Sequence, residues 1–452
     1  MSFPILKRTS VFSIILLSIF SLSGLVFAAD QPVAIFHAFD QRYSDVEQFV
    51  CELAEQGYSH TQIAPAQKSN PSSEWWARYQ PVDYRVIEGK GSEEDLKKLI
   101  DKAHGCNIKV IADVVFNHMA NLENCKDLKC FPSLSPGDFR SKCDINYSDS
   151  NRFTEVNCWL GGLPDLKLSN KAVRTLQKAH LKKLLDLGID GFRFDAAKHM
   201  PAEIVKEYID YINAESNGNS WNYLEVIEDN DTHAEDYSWI AAVTDFVLYN
   251  SMKNAFSFGG DLRALRVPVA VNDSRSVTFG RNHDTIKELN AFAISPYDDP
   301  SDSYLATAYV LARESGTPLV FNRDNSSVPY VKYGVKFRQI MRQRGNAGHN
   351  VREHVLAAID SSTVLLMERG KEGFFVENKG KEKFDIAALD LTLSNLEGCY
   401  RELRNNFTAA VERRDDGRKY VTRWGTSSRG GLEVHGRDAL YFIREGDRCS
   451  DS

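Results

Sequence analysis

Carboxylates, histidines, amides and cations gather at the ends of short apolar runs in this sequence. Asp113, Asn117 and His118 fall in "KVIADVVFNH", and Arg193, Asp195, Lys198 and His199 in "GFRFDAAKH". Glu225 falls in "NYLEVIE", and Asn282, His283 and Asp284 in "VTFGRNHD". Singly, each has an ordinary reading as a capping aspartate, a core histidine or a surface glutamate. Together, Asp195, Glu225 and Asp284 supply what cleavage of a glycosidic bond requires. In a retaining mechanism one carboxylate is the nucleophile and a second is acid then base, about 5 to 5.5 Å apart, through an oxocarbenium-like transition state. The nucleophile must stay ionised. Arg193, two residues before Asp195 and so on the same face of a strand, is expected to hold its pKa down by opposite charge. Glu225, flanked by Leu224 and Val226, is expected to have its pKa raised enough to donate a proton near neutral pH. Asp284, His118 and His283 are then placed to grip sugar hydroxyls.

Such residues must be carried by elements that bring them to one point. An arginine and an aspartate inside a strand that follows a helical run, "KAVRTLQKAHLKKLLDLGID", need a wet mouth to face. Eight strand-like runs begin at Val33, Ser59, Lys109, Asp190, Asn222, Thr244 ("TDFVLYN"), Val277 and Thr317. Segments such as "SDVEQFVCELAEQ" and "SYLATAYVLARES" between them carry apolar residues at helical spacing. Eight strands separated by helical patterns indicate an α/β fold, a (β/α)8 TIM barrel, whose catalytic residues sit at the C-terminal ends of strands. The long polar segment 119–168 reads as a small inserted domain after strand 3, dividing the barrel into 30–118 and 169–350. From residue 351 to 452, short alternating runs such as "STVLLMERG" and "DALYFIRE" indicate a C-terminal antiparallel β-sandwich.

The chain has 452 residues, 42% hydrophobic and 26% charged, a globular balance. Its formal charge of -7 and lack of a long basic cluster argue against nucleic acid and favour a neutral or cationic partner. Residues 1–29 read as a secretory signal: Lys7 and Arg8, an apolar run from Val11 to Phe27, then Ala28 and Ala29 at the cleavage point. The apolar run is short for a membrane span, so no membrane attachment is expected after cleavage. The eight cysteines all follow that signal. In an oxidising compartment they read as disulfides of unspecified connectivity, whereas zinc lacks a CxxC pair or nearby histidines.

"DVVFNH", "GFRFDAAKH", "EVIE" and "GRNHD", in this order, resemble the four signature regions of the α-amylase family, and "GLPDL" from Gly162 resembles its additional region. The resemblance implies that Asp195 is the nucleophile, Glu225 the general acid/base and Asp284 the transition-state stabiliser. It places His118, Arg193 and His283 in contact with substrate, and Lys198 and His199 near sugars beyond the scissile bond. "SEWWARYQP", with Trp75, Trp76, Tyr79 and Gln80, resembles the aromatic wall of a sugar cleft. A structural calcium is implied, held by the side chains of Asn117 and Asp165 and by backbone oxygens of His199 and Val156. Features shared with animal-type and related bacterial members imply a chloride ion near Arg193, Asn282 and Arg323. The segment "TIKELNAFAISPYDDPSDS" lacks the glycine-rich loop of the animal enzymes. The disulfide pairs expected are Cys51 with Cys106, Cys125 with Cys130, Cys143 with Cys158, and Cys399 with Cys449. The activity implied is a secreted, extracellular or periplasmic, endo-acting and monomeric α-amylase that hydrolyses α-1,4 bonds of starch, glycogen or maltooligosaccharides with retention. Rival readings are a maltooligosaccharide transglycosylase or maltogenic exo-enzyme on the same fold, or a noncatalytic glucan-binding protein.

Overall fold

The structure, a computed structural model, describes residues 30–147, 152–286, 300–387, 389–425 and 431–449. The signal read at 1–29 and most of the segment after Asp284 lie outside the described residues.

Eight parallel strands close a barrel: β1 (Ile35–Ala38), β2 (His60–Ile63), β3 (Lys109–Val115), β4 (Gly191–Asp195), β5 (Tyr223–Leu224), β6 (Ala242–Thr244), β7 (Ser276–Thr278) and β8 (Thr317–Phe321). Alternation sorts their side chains between two cores. Phe192, Phe194, Val110, Ala112 and Val114 point outward against helices that contribute Val46, Leu53, Leu96 and Leu181. Ile35, Ile111, Tyr223, Val277 and Leu319 fill the barrel interior. In β4, Phe192 and Phe194 therefore face the helices, and Arg193 and Asp195 face the barrel mouth, as their spacing predicts. Gly191 is required at the start of β4, because a Cβ there would lie 2.0 Å from the Trp221 carbonyl oxygen.

The sixth strand differs from the expectation. It is Ala242–Thr244, and most of "TDFVLYN" belongs to a helix, Phe246–Phe256. The Asp245 side chain accepts from Leu248 N–H at 2.7 Å, and this N-cap overrides the β-type composition that follows it. The helix buries Phe246, Leu248, Tyr249, Met252, Ala255 and Phe256 and turns Asn250 and Asn254, four residues apart, to solvent.

The inserted segment returns to the barrel at an isolated bridge between His118 and Asp165. All four expected disulfides form, Cys51–Cys106, Cys125–Cys130, Cys143–Cys158 and Cys399–Cys449, with Cα separations of 4.8 to 5.7 Å. The C-terminal unit is a seven-stranded antiparallel sheet faced by a two-stranded ribbon, Phe384–Asp385 with Glu433–Val434. One sheet face (Leu366, Phe374, Val376, Phe442) packs under the ribbon, with Phe374 stacked on Phe442 at 4.2 Å. The other face (Met367, Phe375, Tyr441) joins the barrel core through Val335, Phe337 and Met341. Lys379 crosses this junction, donating to the carbonyls of Ala255 and Gly260 at 2.7 and 2.6 Å and so closing the C-terminal end of helix Phe246–Phe256. No described helix is long and apolar enough to cross a membrane.

Candidate active site

The three carboxylates converge where the strand ends meet, and Arg193 is their common partner. Asp113 stands opposite Arg193 in the β3–β4 register, and both its oxygens accept from Arg193 Nη1, at 2.9 and 2.7 Å. The same Nη1 donates to Asp195 Oδ1 at 2.9 Å, while Nη2 pairs with Glu225 Oε1. Glu225 Oε2 accepts from Ala196 N–H at 2.9 Å. Ala196 holds a left-handed conformation, φ 48°, a strained backbone for a residue with a Cβ, here used to aim a donor at Glu225. Asn282 shapes the turn after β7: its side-chain oxygen accepts from the N–H groups of Asp284 and Thr285, both at 3.1 Å. That turn leaves the Asp284 side chain 26% exposed, with Oδ2 3.4 Å from His283 Nε2.

Four carboxyl groups around one guanidinium change the charge balance read from the sequence. Burial pushes Asp195 well above the ordinary aspartate range; Arg193 opposes this, and Glu225, Asp113 and Asp284 reinforce it. The expectation that Arg193 alone holds Asp195 down is therefore corrected, because it counted one cation against one anion. Burial also raises Glu225, opposed by Arg193 and reinforced by Asp284, in line with its expected role. Burial pushes Asp113 up to about 7 and raises Asp284, each opposed by Arg193. The cluster cannot ionise completely at low cost, so it retains a proton that its members share.

Around the cluster the histidines are neutral. Burial lowers His118 to about 4 and His283 to about 3. His118 Nε2 lies 3.0 Å from the Tyr79 carbonyl oxygen, the geometry of a ring N–H donating to it. Tyr79 stacks on His283 at 5.3 Å, and Trp75 and Phe39 approach the same ring at 5.7 and 4.8 Å. Trp76, next in the chain, is 39% exposed, and the Gln80 side chain accepts from Asn70 Nδ2 at 2.9 Å. Sequence reasoning missed His37 and Phe39. His37 is buried at the end of β1, 5.4 Å from the His283 ring. A lone histidine on the inward side of "IFHAF" carried the same signal as the arginine in "GFRFD".

Lys198 is buried, and its ammonium pairs with Asp229 and, at 3.5 Å, with Glu155 of the inserted segment. It thus ties that segment to the loop after β5. His199 is held by Nδ1 at 3.0 Å from the Glu155 carbonyl oxygen, beside Val156. Asn117 and Asp165 meet at the base of the insert, where Leu166 N–H donates to the Asn117 carbonyl at 2.9 Å. Asp165 is 1% exposed, its Oδ1 has no hydrogen-bond partner, and its Oδ2 lies 3.0 Å from Arg140 Nε.

Of the residues expected around a chloride ion, Arg193 lies within the carboxylate cluster. Arg323 is exposed on the short helix after β8, and Asn282 uses its side-chain oxygen, not its amide nitrogen, in its own turn.

Comparison with known proteins agrees with this geometry. The α-amylase catalytic-domain family model matches residues 53–255. An α-amylase of Aeromonas hydrophila is 31% identical over 422 residues, covering 80% of this chain and 87% of that protein. An α-amylase-related protein of Drosophila pseudoobscura pseudoobscura is 29% identical over 347 residues, covering 68% and 69%. Among solved structures, a variant of α-amylase I from Eisenia fetida in complex with maltohexaose superposes with a TM-score of 0.74 at 20% identity, covering 90% of this chain and 98% of that one. A cyclomaltodextrin glucanotransferase with a three-domain ABC distribution gives 0.67 at 19% identity, covering 92% and 100%. The two structural likenesses speak for the fold, and the sequence relatives for descent: the chain belongs to the α-amylase family of glycoside hydrolases.

Proposed function

We propose that this protein is a secreted, endo-acting α-amylase that hydrolyses α-1,4-glucosidic bonds of starch, glycogen or maltooligosaccharides with retention of configuration. The observation that carries the reading is that one guanidinium, Arg193, holds both Asp195 and Glu225. Two carboxyl groups on one fork suit the close retaining pair, about 5 to 5.5 Å apart, better than an inverting pair spread to admit a water between them. Asp195 attacks the anomeric carbon while Glu225 protonates the departing oxygen; Glu225 then takes a proton from the water that cleaves the glycosyl ester. Asp284, His118 and His283 hold sugar hydroxyls. Neutral imidazoles suit that task, because they donate and accept without adding charge. Trp75, Trp76, Tyr79 and Gln80 form the wall on which glucose rings lie, and Lys198 and His199 flank the leaving-group side.

Calcium fits the junction of barrel and insert. Among the described residues no three His, Cys, Asp or Glu side chains form a metal cluster. A cation there would rest on Asp165 Oδ1, the Asn117 amide oxygen and backbone oxygens of Val156 and His199, an all-oxygen set of the kind calcium takes. The orphaned, buried Oδ1 of Asp165 supports this. Bound calcium supplies structure and no chemistry, fastening the insert that carries Glu155 against the loop that carries Lys198. Four disulfides support passage through an oxidising compartment.

The likeness to a glucanotransferase keeps transfer to a sugar as the second reading. Digestion of amylose, followed by iodine colour and reducing ends on the same samples, separates them. Early colour loss with few but steadily rising reducing ends is expected. Colour loss without new reducing ends indicates transfer, and reducing ends without early colour loss an exo-enzyme. Glu225→Gln is the control: turnover falls by about 10²- to 10⁴-fold while maltooligosaccharide binding persists.

A further inference from the structure

The opposite end of the barrel holds a cavity of about 480 Å³ lined by Arg338, Arg342, Arg352, Arg369, His349 and Glu314, among others. It lies beneath the N-terminal ends of β1 and β8: Arg338 donates to the carbonyls of Val33 (2.8 Å) and Gly316, which precede those strands. Arg338 also donates to Arg313 O at 2.6 Å, and Arg369 to Val351 O at 2.7 Å and Ala312 O at 2.9 Å. Their plain structural task is thus to close the C-terminal end of helix Pro300–Ala312, whose dipole favours cations there.

Carbonyls satisfy donors without cancelling charge. Glu314, exposed, is the one carboxylate in the lining named above. Glu353 nearby pairs with Arg313 at 3.3 Å and also acts as an opposing charge on Arg338 and Arg369, His349 lies 3.1 Å from Glu372, and Asp30 is an opposing charge on Arg342. Burial, with repulsion from neighbouring arginines, pushes Arg338 down to about 9; burial pushes Arg369 down to about 10. Donors remain over. Arg342 uses one nitrogen, on Pro32 O at 3.2 Å. The second terminal nitrogen of Arg369 and the whole Arg352 guanidinium have no partner among the described residues.

We propose that this cavity binds a phosphate-type oxyanion, as free phosphate or as the phosphate of a sugar ester, through the guanidinium groups of Arg342, Arg352 and Arg369. Planar forks that bond two oxygens at once suit phosphate, and the volume admits a monosaccharide ester. The site stands at the far end of the barrel from Asp195 and does not depend on the glycosidase reading.

Thermal unfolding and calorimetric titration of the full chain with inorganic phosphate and with glucose 6-phosphate, at constant ionic strength against chloride, test it. The expected result is saturable binding by calorimetry and a rise in Tm of roughly 2 °C at ten times the dissociation constant, both absent with chloride. The double variant Arg342→Gln, Arg352→Gln should lose that rise and keep native amylose turnover. Should the pair disturb folding, Arg352→Gln alone, at an exposed residue, should weaken binding several-fold. Tighter binding of glucose 6-phosphate assigns the site to esters, and tighter binding of phosphate to the free ion. A phosphate response no larger than that of chloride, or one retained in the variants, overturns the proposal.

Discussion

At the C-terminal mouth of the barrel one guanidinium stands among four carboxyl groups; at the N-terminal end four guanidinium groups line a cavity with Glu314 as their carboxylate. Both clusters are built on buried arginine, and they satisfy it in different ways. Arg193 is met by anions, so its charge is cancelled and the surplus carboxyls are left to share protons. Arg338 and Arg369 are met by carbonyls, so their charge persists, and Arg369 keeps a terminal nitrogen to spare. The difference separates chemistry from binding: mobile protons suit bond cleavage, and uncancelled charge suits capture of an anion.

The comparison is sharpest if the arginines are removed. Arg193→Leu strands Asp113, Asp195 and Glu225 without a counter-ion in a buried site. It is expected to cost about 3 to 5 kcal/mol of stability and to abolish measurable amylose turnover. Arg352→Gln, at the exposed rim of the other cluster, should change neither. Chemical denaturation and reducing-end assays on the two variants check this, and equal losses would show that both arginines serve only packing.

A smaller effect should follow from thinning the anions. Asp113 raises Asp195 by like charge and shares Arg193 with it. In Asp113→Asn that repulsion is gone and Arg193 has one carboxylate fewer to serve, so both changes favour the ionised forms of Asp195 and Glu225. Asp195 then ionises at lower pH, and Glu225 loses its proton at lower pH. Both limbs of the kcat/KM profile should therefore move in the acid direction. A profile that stays in place, or moves up, would mean that the four carboxyls do not titrate as one group.

The mouth was legible in the sequence because a parallel barrel leaves so few reasons for polar residues in its strands. Arg193, Asp195 and Glu225 each interrupt an apolar run, and alternation fixes which way they point. The sixth strand failed for a local reason: an aspartate cap decides between helix and strand in a stretch whose composition allows either. The pKa of Asp195 could not be read from a pair two residues apart, because Asp113, Glu225 and Asp284 come from three other places in the chain. The arginine cavity was illegible for the same reason, its members arriving from helix Pro329–Asn346, the loop after it and the second strand of the C-terminal sheet.

A third buried charge completes the series. Glu377, in strand Gly373–Asn378, is fully buried with no partner for either oxygen. Tyr309, Tyr330 and Tyr441 face it from the barrel helices and the neighbouring strand, and Lys379 is the cation that acts on it. With neither a salt bridge nor a donor among the described residues, burial raises its pKa well above the glutamate range, and Lys379 opposes this only in part. The folded chain therefore holds that proton more tightly than the unfolded chain does. The resulting stability is fully present below the ordinary glutamate pKa, about 4.3, and is lost as pH rises through the folded value. Glu377→Met removes that loss at nearly constant volume. Its stability should match that of the native chain more closely at pH 5 than at pH 8, where the variant should lead by about 1 to 3 kcal/mol, with turnover unchanged. A lead that does not grow between those pH values would mean that Glu377 is ionised in place. A lone buried carboxylate would then be held by the charge of Lys379 alone.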